Sequence, residues 1–285
     1  MNNRTVKTSF LMSNRIVKTS FLMNKKLVFL CLLAMPFLSA YAQTDSLMRY
    51  HSNMIAVGST NILDTYLSAE KYHGIDVRYV NHSSRFTHWK NISQTVIHQG
   101  ELSFVHNRAD NNDEIGGMYN FQYHLRYNWW LFERKLRLEA GVGVDVNLGF
   151  LYNTRNSNNP AQARASVNLA PSVAASYRSH IKSMPFVVRY EAMAPLVGLM
   201  FSPNYGQSYY EIFNEGNYDH NIVPTTIGST PSLRQLLSFD FKPSRKWSRT
   251  WLRVGYLGDY QQAKVNNLKY HQYSHLFIIG ITKML

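Results

Sequence analysis

Residues 135–150 read KLRLEAGVGVDVNLGF and alternate without a slip. Leu136, Leu138, Ala140, Val142, Val144, Val146, Leu148 and Phe150 fall on one face. Lys135, Arg137, Glu139, Gly141, Gly143, Asp145, Asn147 and Gly149 fall on the other. A period of two is that of a β-strand, whose successive side chains point to opposite sides. At about 3.3 Å per residue this one reaches roughly 50 Å, well beyond the ~17–20 Å of an ordinary strand. A strand of that length needs partners of similar length.

Ten segments supply them: roughly 54–63, 73–82, 93–105, 116–128, 135–150, 164–177, 184–201, 232–241, 249–261 and 270–282. In 118–127, Tyr119, Phe121, Tyr123, Leu125 and Tyr127 oppose Asn120, Gln122, His124 and Arg126. The first, third and last segments alternate poorly. No helix-period stretch or linker interrupts the series, so the chain reads as one all-β domain. The even count suits a single antiparallel transmembrane β-barrel of about ten strands, with eight to twelve as the range.

A soluble barrel or sandwich alternates in the same way with its apolar face inward. Three features favour the inverted arrangement. The polar faces are rich in Gly, Ala, Ser and Asn, which a crowded interior needs and a wetted sheet does not. Charges of both signs share that face: Asp76, Arg78, Glu101, Arg126, Arg137, Glu139, Asp145, Arg189, Glu191, Asp240, Arg253 and Asp259. In a narrow lumen these can pair across the barrel and plug it. Trp89, Trp129, Trp130, Trp247 and Trp251 gather near one set of turns, as an interfacial aromatic girdle would.

The N-terminus agrees with export. Lys25 and Lys26 precede an apolar run at 27–38, and Ala40, Tyr41 and Ala42 form a small-x-small cleavage site. This reads as a secretory signal peptide, since the run is short of the ~20 residues a spanning helix needs. Residues 1–42 are therefore leader and signal, and 43–285 the barrel. NRTVKTSFLM (3–12) nearly repeats as NRIVKTSFLM (14–23), which suggests Met23 as initiator. The single cysteine, Cys31, lies in the signal core, so the mature chain is expected to have no disulfide, thiol nucleophile or thiolate metal site. Of the net charge of +13, six basic residues belong to 1–42, which leaves +7. No nucleic-acid motif accompanies it, and lipid phosphates or buried carboxylates are its expected partners.

An exported chain with an even strand count places both termini in the periplasm of a Gram-negative cell. Short turns at 81–92, 128–134, 178–183 and 242–248 then lie on that side, and long loops at 106–115, 151–163 and 202–231 outside. Outer-membrane lipid and, during biogenesis, the barrel assembly machinery are the expected partners. One departure is the C-terminus, Ile281-Thr282-Lys283-Met284-Leu285, where an aromatic residue is common.

The first hairpin carries Leu63-Asp64-Thr65-Tyr66-Leu67-Ser68, then Tyr72 and Gly74. Here the chain resembles an uncharacterised family of exported barrel proteins from Bacteroidetes with the signature L-D-T-Y-L-S-P-x-x-Y-x-G. Ala69 stands where that signature has proline, and a later Gly116-Gly117-Met118 strand start is also similar. The resemblance implies an exported barrel and brings no activity. From the residues themselves, Asp64 and Thr65 can bond turn backbone, with Tyr66 and Tyr72 at the outer interface.

Barrel enzymes of this compartment, such as lipid A deacylases, phospholipases and omptin-like proteases, hold Ser, His and acid groups at the outer rim. A nucleophile or water, a base and an orienting carboxylate must converge there. The rim candidates are Asp64, Ser68 and His73 on one loop, and Ser103, His106, Asp110, Asp113 and Glu114 on another. None sits in a recognisable catalytic string, and 106–114 reads more simply as a solvated loop. It lacks the ligand spacing of a calcium loop. His271 and His275 would stand about 13 Å apart in a strand, too far to share an ion. No metal site and no cofactor is expected.

The loop 202–231 is the expected partner surface: Tyr205, Tyr209, Tyr210, Phe213 and Tyr218 are spaced by Asn and Gly, as in recognition loops. The same residues could form a lid. The leading function is a non-enzymatic surface-binding or envelope-structural barrel with a plugged lumen. The rivals are a rim enzyme acting on lipid A, phospholipid or protein, and a narrow pore.

Overall fold

The computed structural model describes residues 49–182, 184–244 and 249–284. The expected signal peptide, Cys31 and Trp247 lie outside them. The fold is all-β. Its strands are β1 (Tyr50–Asp64), β2 (Tyr72–Phe86), β3 (Ile92–Asn107), β4 (Asp113–Leu131), β5 (Leu136–Asn153) and β6 (Ala161–Ile181). They continue with β7 (Met184–Met193), β8 (Val197–Phe201), β9 (Ile222–Thr226), β10 (Leu233–Phe241), β11 (Thr250–Val265) and β12 (Leu268–Met284). One short helix, α1 (Tyr209–Phe213), lies between β8 and β9.

Ten of these close a single antiparallel barrel in the order β1 to β7, then β10, β11 and β12. Closure runs through β1 against β12, from Tyr50 opposite Met284 to Asp64 opposite Tyr270. β8 and β9 are not extra staves. β6 pairs Ser172 with Met193 of β7 and Leu169 with Val197 of β8, so β7 and β8 are one stave carrying a one-residue bulge. Pro195 stands at that break and cannot donate a ladder hydrogen bond. β9 extends β10 along the same two staves. The segment expected as one strand, 184–201, is thus interrupted, and β9 lies in what was expected to be loop.

The side chains face as the alternation predicted. Ile55, Val57, Leu102, Phe104, Val142, Val144, Phe277 and Ile279 are exposed, whereas Arg137 and Glu139 are buried. A continuous apolar exterior of this extent is stable only against another apolar phase. β1, with 15 residues, rises about 38 Å at a tilt of ~40°, enough to cross the ~25 Å apolar band of such a barrel.

Two expectations need correction. The interior is not wholly small or ionic: Met54, Ala56, Val80, Ile97, Leu236, Leu257, Leu276 and Ile278 form a buried apolar layer inside it. The tryptophans do not form one girdle. Trp89 is exposed and Trp129 stacks edge-on against Tyr127, but Trp251 is buried and Trp130 receives the guanidinium of Arg137. The latter two line the inside of the mouth.

At one end, the turn end, lie the described termini, the connections at 87–91 and 132–135, Lys182, and residues 242–244 and 249. At the other, the loop end, the connections run 65–71, 108–112, 154–160, 202–221 and 266–267. Because the strands extend further than the pattern indicated, two of the expected long loops shrink to a few residues.

Candidate functional site

Charged side chains meet inside the barrel in two groups, one on each side of the apolar layer. In the group toward the turn end, Glu139 is the hub. It accepts both terminal nitrogens of Arg189 at 2.6 and 3.2 Å, and Arg137 and Arg126 approach it at 3.3 and 3.9 Å. Glu191 is held by Arg189 Nε at 2.5 Å and Arg126 Nη1 at 2.7 Å, with the Tyr50 hydroxyl at 3.4 Å. Alongside, Arg253 grips Asp240 through Nε and Nη2 at 2.6 and 2.8 Å. Removing one partner of such buried pairs strands the other, so the set stands or falls together.

In the second group Arg78 is the hub. It bonds Asp76 at 2.7 Å and Asp259 at 2.5 Å, and Glu101 lies 3.2 Å from it as an ion pair. Ser274 donates to the same Asp76 oxygen as Arg78, and Gln272 donates to the Glu101 oxygen that faces away from Arg78. Asp145 is bound instead by three amides, Asn120 at 2.7 Å, Asn147 at 2.8 Å and Asn168 at 3.1 Å. Arg234, which the sequence reading did not single out, reaches Gln99 and lies 3.9 Å from Asp259. Among the described residues the void here is small, about 80 Å³. The mouth at the turn end opens into about 610 Å³.

At the loop end the signature residues of the first hairpin each hold part of the mouth. Asp64 pairs with Arg164 at 2.7 Å, and that guanidinium lies over the Tyr270 ring at 3.1 Å. Thr65 exchanges hydrogen bonds with Lys269, its amide donating to the carbonyl and its hydroxyl accepting from the amide. Ser68 caps the amide of Glu70 at 3.1 Å. Tyr66 donates to the carbonyl of Gln207 at 3.1 Å, and burial pushes its phenol pKa up. Tyr72 corrects an expectation: it is fully buried, and its hydroxyl accepts from Asn112 at 2.7 Å and Asn153 at 3.1 Å.

The rim candidates do not converge. Asp64 points inward, whereas His73 and His106 meet on the outer wall with tilted rings whose centroids are 4.3 Å apart, near Asp110. No serine joins them. His271 bonds Asn61, and His275 bonds Tyr256. Among the described residues no group of three or more His, Cys, Asp or Glu could hold a metal ion.

The segment 202–221 folds over the mouth. Ser208 and Glu211 form a reciprocal capping box at the start of α1. Tyr209 is pinned: its hydroxyl donates to Gln162 at 2.9 Å and accepts from the Ala163 amide at 2.7 Å, and its ring packs on Tyr66 and Phe213. Burial pushes the Tyr209 phenol up to about 12. Asn266 Nδ2 ties the segment to the last hairpin through the carbonyls of Ser202 at 3.1 Å and His220 at 2.9 Å. Tyr205, Tyr210, Phe213 and Tyr218 stay more than 60% exposed.

Residues 25–285 match the family described as "Protein of unknown function (DUF3316)". The chain belongs to this family. No curated protein matches it. Among solved structures, this DUF3316 chain is similar to the translocator domain of the autotransporter NalP from Neisseria meningitidis. The identity is 9% and the TM-score 0.38, over 91% of this chain and 95% of that one. CdiB from Escherichia coli follows at 7% identity and TM-score 0.24, over 85% and 64% of the two chains. OccK11 (OpdR) from Pseudomonas aeruginosa matches at 7% and 0.20, over 86% and all of that chain.

Proposed function

We propose that the DUF3316 chain is a plugged, non-enzymatic outer-membrane barrel that recognises a ligand or partner outside the cell through residues 202–221. Its termini then face the periplasm. The observation that carries the reading is the anchored lid. Tyr209 and Asn266 fix its backbone, while Tyr205, Tyr210, Phe213 and Tyr218 remain exposed. A rigid backbone that presents aromatic side chains gives large contact area at low entropic cost. The lumen below is crossed by buried ion pairs and, among the described residues, holds a void of only about 80 Å³, which supports a plugged barrel.

The test has two arms. Refolded protein in planar bilayers should show no discrete openings, and stepwise conductance would replace the plugged barrel with a pore. Cells displaying the protein should bind a component of a glycan or protein array saturably, and Y205A/Y210A/F213A should abolish that binding without loss of the folded band. Binding that survives the triple substitution, or an altered lipid A or phospholipid mass profile in producing cells, would overturn the reading.

A further inference from the structure

The mouth at the turn end combines a cavity, a lining rich in basic side chains and two buried donors without a partner, none of which the reading above employs. Among the described residues eight Arg and Lys side chains line it, Arg137 and Arg253 among them, with one carboxylate, Asp240; Lys135 at its rim has Glu133 at 3.9 Å. Asp240 is already taken up by Arg253.

The network behind the mouth is also unbalanced. Three guanidiniums, Arg126, Arg137 and Arg189, share two carboxylates, Glu139 and Glu191. Arg137 is the least satisfied of the three. Its Nε bonds Asn128 at 2.7 Å, while its Nη2 is buried with no hydrogen-bond partner among the described residues. Arg253 spends Nε and Nη2 on Asp240, and its Nη1 is likewise buried without a partner. Both residues line the cavity and are at most 4% exposed. An unpartnered buried guanidinium nitrogen is costly, and an arriving oxyanion would remove that cost.

We infer that this cavity is a binding site for a phosphate-class oxyanion, with Arg137 and Arg253 as its floor. The guanidinium fork matches phosphate oxygens, and Lys135 at the rim adds long-range attraction. The walls are apolar and aromatic where Tyr50, Trp130, Val187 and Trp251 face the void. A volume of about 610 Å³ accommodates more than the anion alone. The phosphate could belong to a lipid headgroup or be free, and the two sources differ in whether the apolar walls contribute. The site is independent of the loop end.

The test uses the full chain refolded in neutral detergent, with folding followed by heat-modifiable gel migration. Inorganic phosphate and dihexanoyl phosphatidic acid are titrated by calorimetry and by the fluorescence of Trp130 and Trp251, with acetate at matched ionic strength as control. Saturable binding is expected for phosphate or phosphatidic acid and not for acetate. R137M should weaken it at least tenfold and K135Q about threefold. If R137M does not reach the folded band, R137K, which keeps the charge and loses the fork, is read in its place. Phosphatidic acid binding tenfold tighter than phosphate assigns the site to a lipid headgroup, and equal binding to the free ion. Absence of saturable binding, an equal response to acetate, or unchanged affinity in folded R137M or R137K would overturn the proposal.

Discussion

Arg126 Nη1 and Glu191 Oε2 meet at 2.7 Å inside the barrel although they stand 65 residues apart, with β5 and β6 between their strands. The contact requires the sheet to curl across three successive strand pairs, so the charges in this interior report on its curvature. Glu139 gathers Arg126, Arg137 and Arg189, and its loss leaves three guanidiniums to share Glu191 alone.

Glu139→Gln should therefore destabilise the barrel by about 3–5 kcal/mol, the range for breaking a buried ion network from one side. R137M, which removes the surplus cation, should cost less. Guanidinium midpoints measured by reversible folding into liposomes give the order, and R137M equalling or exceeding E139Q would refute the hub assignment.

The lid should respond to alkali through Tyr209. Burial favours its neutral phenol and raises its folded pKa to about 12, whereas an unfolded tyrosine ionises near 10. The stabilisation is then complete below pH ~10 and is lost as the pH climbs from there to about 12. Tyrosinate absorbance of wild type minus Y209F should show one phenol titrating near pH 12. A difference curve centred at pH 10 would show that the hydroxyl is not held. At pH 8, Y209F leaves the Ala163 amide without its acceptor. It should speed proteolysis within 202–221, consistent with a cost of about 1–3 kcal/mol.

Much of this architecture was legible because the strand period reports which side chains share a face. In β5 the alternation placed Arg137, Glu139 and Asp145 together, and all three are buried. The blurred strands have a physical cause. β1 and β12 carry Met54, Ala56, Leu276 and Ile278 inward and Ile55, Val57, Phe277 and Ile279 outward. Apolar residues on both faces erase a period of two. Arg164 was overlooked because its partner Asp64 comes from a distant stave, and Arg234 because the group it reaches, Gln99, is uncharged and lies across the barrel, although Asp259 stands opposite it on β11. Trp130 and Trp251 misled because their chemistry suits an interface and the lining of a mouth equally. Only the parity of the residues around them, Asn128 and Arg253 inward, could have told which face they take. The lid could not be derived from periodicity, since α1 is held by capping and by the contacts of Tyr209 with Tyr66, Gln162 and Ala163.

Close approach of β4 and β5 yields a sharper test. A Cβ added at Gly141 would overlap the carbonyl oxygen of Leu125 and lie 2.7 Å from Arg126 Cα, both backbone atoms that cannot step aside. G141A should abolish the heat-modifiable folded band. Gly100 has nothing within 4 Å of the same position, so G100A should fold as wild type does. Equal behaviour of the two variants would mean that the strands do not pack this closely.

The last hairpin separates two roles that one residue performs. Asn266 and Asn267 sit at φ 51° and 62° and connect β11 to β12 in two residues. Both positions favour glycine or asparagine, because a branched side chain there collides with its own backbone. Asn266 also holds the lid through Ser202 and His220. N266G keeps the turn geometry and removes those two bonds. It should leave the guanidinium midpoint within about 0.5 kcal/mol of wild type, while residues 202–221 exchange amide hydrogens faster. N267V leaves the lid bonds in place and strains the turn, so it should lower the midpoint by about 1–2 kcal/mol. Slower or unchanged exchange in N266G would show that the lid is held by Tyr209 and the capping box alone.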